Sequence, residues 1–235
     1  MKPIYKVIQL TNDIDGIAAI QGTGYTTGTL FNLTSPVVTH PSNLDKTEQQ
    51  ITVIVVADET GHELTITGTD ASGGFVAEDV ILPDATTVTT LSFFHTVTEI
   101  LTKVGTLSGD MEVGWTEAGD TTTQPLPINW RQGPANVTLG MEPFPIASIT
   151  STSLATMQYS LDDPEDTVNF PSYSNDAAWR SPDTLVAAPP DPAGLTVSTD
   201  TRLEGPTRAI RGVIQGGAGI TNTQWRFTII QGENI

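Results

Sequence analysis

The sequence predicts an all-β protein, built as two β-sandwich or jelly-roll-like domains with long proline-rich loops. Three observations predict it. Apolar residues recur at a period of two in run after run, the spacing of a strand with one buried face. Valine, isoleucine and threonine are prominent, and 21 glycines and 16 prolines punctuate the chain where turns belong. Helical signals are weak, and short strands at regular spacing pack as sheet on sheet.

Each element follows from its own residues. Ile51-Thr52-Val53-Ile54-Val55-Val56 reads as a continuous run, short enough for a buried strand. Leu64 and Ile66 alternate with Thr65 and Thr67, and Met111, Val113 and Trp115 alternate with Glu112 and Gly114. Further on, Met157, Tyr159 and Leu161 alternate with Gln158 and Ser160; Trp225, Phe227 and Ile229 alternate with Arg226 and Thr228. Phe93 to Val104 could hold a few helical turns, but its β-branched content suits a strand equally well. Ser172 to Gly194, rich in Pro, Asp and Ala, reads as a long surface excursion.

The charges divide the chain. Lys2, Lys6, Lys46 and Lys103 lie in the first half, and Arg131, Arg180, Arg202, Arg208, Arg211 and Arg226 in the second. The change falls across Thr121-Thr122-Thr123-Gln124-Pro125-Leu126-Pro127, which has no periodicity and reads as a linker or crossover. The expected domains are therefore residues 1–124 and 125–235.

Charge and composition narrow the function classes. A net charge of −17 argues against binding nucleic acid through phosphates, and against an anionic membrane surface. No window has the length and apolarity of a membrane-spanning helix, and the N-terminus shows no secretory pattern. Cysteine is absent, which excludes disulfides and zinc–thiolate sites. His40, His62 and His95 lack metal-ligand spacing. The acidic cluster Asp13–Gly16 lacks the downstream glutamate of a calcium loop, and Asp162–Asp166, interrupted by Pro164, reads as a turn after the Met157–Leu161 strand. Gly22–Gly28 misses both the dinucleotide and the P-loop spacings, and no G-x-S-x-G elbow is present. No catalytic, cofactor-binding or metal-binding residue is assigned, and neither enzymatic activity nor a cofactor is expected.

Leu64 to Leu82, LTITGTDASGGFVAEDVIL, holds three acidic residues and three glycines, and could pass for a ligand loop. Asp70, Ser72, Gly73 and Gly74 are what a hairpin connection needs, since glycine accepts positive φ and aspartate bonds its own backbone. The stretch is expected to be two strands and a turn.

The run from Thr65 to Ile100 resembles a module common in tailed-bacteriophage virion proteins. The matching positions are Gly68-Thr69-Asp70, Glu78, Phe94, Val97-Thr98, Ile100 and Val113-Gly114-Trp115. The second half is similar to the segment that often follows: Met157–Asp166, an isolated Trp179, Pro206–Gly217 and a closing Ile230-Gln231-Gly232. Together these cover about two thirds of the chain, and they encode strands and turns rather than chemistry. The resemblance implies a structural component of the particle, foremost a capsid decoration or cement protein that stabilises the head. A neck, adaptor or tail component is the alternative within the virion, and a glycan-binding or glycan-cleaving β-protein the alternative outside it. The implied partners are the major capsid protein or other virion proteins and copies of the chain itself, a trimer being favoured. The implied location is the capsid surface, after assembly in the host cytoplasm. The candidate interaction surface is Trp179, Arg180, Arg208 and Arg211, an indole in a polar excursion with arginines that could meet acids on a neighbour.

Overall fold

The structure, a computed structural model, describes residues 3–42, 46–129, 135–143, 155–181, 186–187, 199–205, 207–217 and 224–231. The chain is all-β, with one short helix among these residues. In chain order the first strands are β1 (Ile4–Gln9), β2 (Asp13–Gln21), β3 (Val38–Thr39), β4 (Glu48–Val55), β5 (Glu63–Thr69), β6 (Phe75–Ile81), β7 (Thr87–Phe94), β8 (Thr96–Val104) and β9 (Met111–Trp115). There follow β10 (Thr121–Thr122), β11 (Leu126–Pro127), β12 (Ala135–Pro143), β13 (Ala155–Ser160), helix α1 (Tyr173–Asp176), β14 (Val186–Ala187), β15 (Thr199–Gly205), β16 (Ala209–Ile214) and β17 (Gln224–Gln231). No helix among the described residues is long and apolar enough to cross a membrane.

The runs at Leu64–Thr67 and Trp225–Ile229 become one-sided strands, while β13, holding the Met157–Ser160 part of its run, has buried residues on both faces. Along β5 the burial alternates so that Leu64 and Ile66 face inward, and along β17 Trp225, Phe227 and Ile229 do the same. Leu64–Leu82 forms the expected hairpin, β5 on β6 in register from Glu63↔Ile81 to Thr69↔Phe75. Its turn relies on Gly73, whose φ of +88° a side chain would disfavour. Phe93–Val104 is strand, not helix. The chain ends β7 at Phe94, turns one corner at His95 and enters another sheet as β8. His95 pins that corner: its N–H donates to the Thr69 carbonyl and its own carbonyl accepts from His40 N, both at 2.8 Å.

Three sheets assemble around two main cores. The sheet β3-β8-β5-β6 covers a first core, with Leu64, Ile66, Val97 and Ile100 meeting Ile51, Val53, Phe94, Val113 and Trp115. The sheet β1-β17-β12-β15 covers a second, where Ile8, Val137, Leu139, Trp225 and Phe227 meet Met157, Ile210 and Ile214. A third sheet serves both cores and forks at β4. One edge of β4 pairs with β7. The other pairs with β9 along Thr52–Val55 and with β10 at Glu48 and Gln49. From β9 the sheet continues to β2; from β10 it continues through β16 and β13 to β14.

The fork changes the reading of Thr121–Pro127. The segment is no linker: β10 is hydrogen-bonded on both edges, and Thr121, Thr122 and Thr123 are buried. It lacks an apolar period because both faces of this short strand are covered, and threonine satisfies both demands by fitting the pleat while carrying a hydroxyl. Thr122 Oγ1, for example, donates to the Gly212 carbonyl at 3.0 Å. Nor do the cores divide cleanly at residues 124 and 125, since Ile8 and Leu10 from the N-terminal segment pack in the second core. Of the segment read as a surface excursion, Ser172, Tyr173, Ser174 and Ala177 are buried. Residues 182–185 and 188–194 of it lie outside the described residues, as does Trp130.

Candidate functional site

A buried polar joint forms where the β5–β6 hairpin meets residues 170–180. Four elements supply it: the hairpin turn, the start of β4, the end of β7, and the odd-numbered face of β16. Along β16 the even residues Ile210 and Ile214 enter the second core, while Ala209 and Arg211 point the other way. The segment Phe170–Trp179 covers that second face. Tyr173 packs edge-on against both Phe170 and Trp179, with ring centroids 5.9 and 5.7 Å apart.

Asp70 is the hinge pin of the joint. It is almost fully buried, and its Oδ1 accepts the amides of Ser72 at 2.9 Å and Gly74 at 2.8 Å. Its Oδ2 accepts the Ser172 hydroxyl at 2.9 Å. A Cβ on Gly74 would collide with the Pro171 carbonyl, so glycine is what lets the two backbones approach. Asn175 completes the seam by acting as a short extra strand: its Oδ1 accepts Phe93 N at 2.7 Å and its Nδ2 donates to Phe93 O at 3.1 Å.

Beside this seam lie two buried charged side chains. Glu48, at the head of β4, has no solvent exposure; its Oε1 accepts the Ala71 amide at 3.0 Å. Burial pushes its carboxyl up to about 8, and the negative charge of Asp70 adds to the shift; the Ser174 hydroxyl, the Ala71 amide and Arg211 oppose it. Arg211 donates from Nε to Gln158 Oε1 at 2.8 Å and from one terminal nitrogen to the Ser174 carbonyl at 2.6 Å. Its guanidinium carbon lies 4.3 Å from the Trp179 ring centre and 5.1 Å from that of Phe93. Burial lowers its pKa to about 10, with Glu48 and Asp120 pulling the other way, so it remains a cation at neutral pH.

A cleft of about 380 Å³ opens next to the joint. It lies between the hairpin turn at Asp70–Gly74, the Gln124–Pro127 stretch, and the loop from Pro164 to Tyr173. Its walls are largely proline, glycine backbone and the Phe170 and Tyr173 rings. Its one carboxylate, Asp70, already receives three internal hydrogen bonds.

Of the four residues expected to form an interaction surface, the structure stacks Arg211 on Trp179 and gives the four separate roles. Trp179 is half-buried, with its indole N–H donating to the Ser174 carbonyl at 3.0 Å. Arg180 is exposed and exchanges backbone hydrogen bonds with Tyr159. Arg208 is half-buried and pairs with Asp163 at 3.1 Å. Arg211 is a correction: it is only 6% exposed, inside the joint, because residues 170–180 cover the strand face that sequence alone leaves open. Glu48, Ser172, Ser174 and Asn175 were not singled out. For Glu48 a signal existed, an acid at the mouth of an apolar run; for the others none did, since their partners lie far away in the chain.

His40 and His95 lie together near the start of β4, where the His40 amide donates to the His95 carbonyl, and His62 has other partners. His40 is buried against Gln49 at 2.9 Å and its ring sits edge-on to Trp115. His95 Nδ1 contacts the Thr47 carbonyl at 2.8 Å. His62 Nδ1 meets the buried Glu59 at 2.6 Å. Burial raises the Glu59 pKa, but Ser108, His62 and the Gly109 amide outweigh it, and the net shift is downward. Among the acids of Asp162–Asp166, Asp166 closes a turn by accepting Val168 N and Asn169 N, and Asp162 accepts Ala178 N at 2.6 Å from across the loop. The chain matches no family model, no curated protein and no solved structure.

Proposed function

We propose that this chain is a structural component of a tailed-bacteriophage particle, foremost a capsid decoration or cement protein that works through surfaces. The observation that carries the reading is the joint at Asp70. The G-T-D turn and the return-strand acid, which carry the resemblance to virion proteins, are here devices for holding loops rigid. Asp70 ties the hairpin turn to Ser172, and Glu78 accepts Leu91 N at 2.8 Å and Ser92 N at 2.7 Å, across to the next sheet. Rigid loops on a β framework present a fixed surface at little ordering cost, which is what docking on a lattice needs.

The outer faces supply neutral contact area. Leu91 is 84% exposed, Val168 87%, and Ile81 and Phe75 about two thirds. Apolar contacts of this kind suit a chain whose net charge of −17 makes its copies repel. The major capsid protein is the proposed partner, with a symmetric homo-oligomer, trimeric by preference, at a capsomer junction. The cleft beside Asp70 gives the glycan-binding alternative little support, because its carboxylate is already occupied by internal donors.

The test is the copy number and position of the protein in purified particles, by quantitative mass spectrometry and by labelling in electron micrographs. Many copies spread over the head would support decoration. A few copies at one vertex would move the protein to the neck or tail, and none in the particle would end the proposal.

A further inference from the structure

Two polar atoms in the joint stand out. Glu48 Oε2 and Ser174 Oγ are both buried and neither makes a well-formed hydrogen bond, although the Ser174 hydroxyl adjoins the Glu48 carboxyl. Buried polar atoms are ordinarily paired, so an unpaired couple side by side marks a place where a change of geometry or charge alters the bonding. Ser174 is also where the joint converges, because its carbonyl accepts both the Trp179 indole and Arg211.

We propose that Glu48 is a proton-controlled latch: as the neutral acid it closes the joint onto Ser174, and its ionisation opens the joint around Trp179. The neutral carboxyl can give its proton to Ser174 Oγ and the anion can accept the Ser174 proton, so both forms can satisfy the orphaned atoms; what differs is the charge each sets beside Asp70 and Arg211. The anion places a second negative charge beside Asp70 in a site closed to water, where charges cannot be screened. The cation facing it is Arg211, from β16. Drawn toward an ionised Glu48, Arg211 leaves the Ser174 carbonyl and the Trp179 ring, the contacts that hold Trp179 itself in place, while Asp70–Ser172 and Asn175–Phe93 still tether the start of the segment.

The other charged groups around the joint do not take over this role. Asp70, on the hairpin, is engaged by Ser72, Gly74 and Ser172. Asp120, before β10, acts on Arg211 and accepts the Gly216 amide. Asp176, on α1, accepts Ser172 N at 2.7 Å. His95 binds the Thr47 carbonyl and His40 binds Gln49, both on the chain around the start of β4. With burial holding the Glu48 carboxyl near 8, the latch would turn at mildly alkaline pH.

The experiment uses the full chain labelled with 5-fluorotryptophan and with ¹³C at the glutamate carboxyls, followed by NMR from about pH 6 to about pH 9, where Arg211, with a pKa of about 10, is still mostly a cation. Of the four tryptophan signals, that of Trp179 is assigned with Trp179→Phe. The expected result is one glutamate carboxyl titrating near pH 8 and a Trp179 signal that moves with the same midpoint. In Glu48→Gln the Trp179 signal should stay at its low-pH position throughout. A Trp179 signal that does not respond to pH, or responds equally in Glu48→Gln, would overturn the proposal. So would a spectrum in which no glutamate titrates above about pH 7, well clear of the ordinary carboxylate range. If Glu48→Gln does not fold, the wild type decides alone, since two midpoints that differ are enough to reject the latch.

Discussion

Asp70 and Ser172 stand 102 residues apart in the chain and meet at 2.9 Å, carboxylate to hydroxyl, in the buried joint. The bond couples a hairpin of the first core to the segment that covers β16. Asp70→Ala strips an acceptor from three donors, and the expected loss is about 3 kcal/mol. Ser172→Ala should cost about 1 kcal/mol. Chemical denaturation of both single variants and the double variant measures the coupling, which should exceed about 0.5 kcal/mol. Additive losses would mean that the bond contributes nothing.

Stability should have a maximum in pH set by two buried groups. Glu48 has a folded pKa of about 8 against an ordinary 4.5, so the folded state binds its proton more tightly. Its contribution is full below about 4.5 and is lost as pH rises toward 8. His40 runs the other way: burial lowers its pKa from 6.5 to about 4, and its contribution is lost as pH falls through that window. Urea denaturation should therefore show falling stability from about pH 6.5 to 8, by a few kcal/mol at roughly 1.4 kcal/mol per pKa unit. Between about pH 4.5 and 6.5 the two slopes oppose and nearly cancel, so Glu48→Gln should flatten the alkaline limb and unmask a His40 limb, with stability falling from about pH 6.5 to 4. A variant that keeps the alkaline slope would assign it to another group.

Glu78 holds an irregularity. Between Gln50↔Phe93 and Thr52↔Thr89 the β4–β7 register shifts, and Glu78 receives the amides of Leu91 and Ser92 that this frees. Glu78→Ala should lower stability by about 1–2 kcal/mol and speed hydrogen exchange at those two amides. Unchanged exchange there would show that water replaces the carboxylate without cost.

Limited proteolysis should spare Thr121–Thr123. A protease needs several residues of extended, unpaired chain, and these are buried with both edges of the strand bonded. An early cut at this point, giving two stable halves, would contradict the forked sheet.

Docking on particles should survive salt. Raising it from about 0.05 to 0.5 M screens repulsion between copies, with a Debye length falling from above 10 Å to under 5 Å. Retention of wild type should hold or improve, and release would identify charge attraction as the main force. Arg180→Glu tests local complementarity without disturbing the core, because its side chain is exposed. Trp179→Ala cannot test the surface alone, since it also removes the ring on which Arg211 rests.

What the sequence by itself determined is local. Leu64 and Ile66, Met111, Val113 and Trp115, and Trp225, Phe227 and Ile229 had to become strands with one buried face, because alternation places every second side chain on the same side. The turn at Asp70–Gly74 was equally legible, since positive φ and an aspartate bonding its own backbone are decided within a few residues. The tertiary structure alone decided what covers each remaining face. Arg211 alternates with apolar neighbours and looks exposed, yet Trp179 and Phe93 close over it. Thr121 and Thr122 have no pattern because they are enclosed on both sides. Glu48 is an ordinary acid until Asp70, Ser174 and Arg211 arrive from three other places in the chain. A period reports the direction in which a side chain points. The burial, charge and partners it finds there depend on residues a hundred positions away, and the joint at Asp70 is made of such meetings.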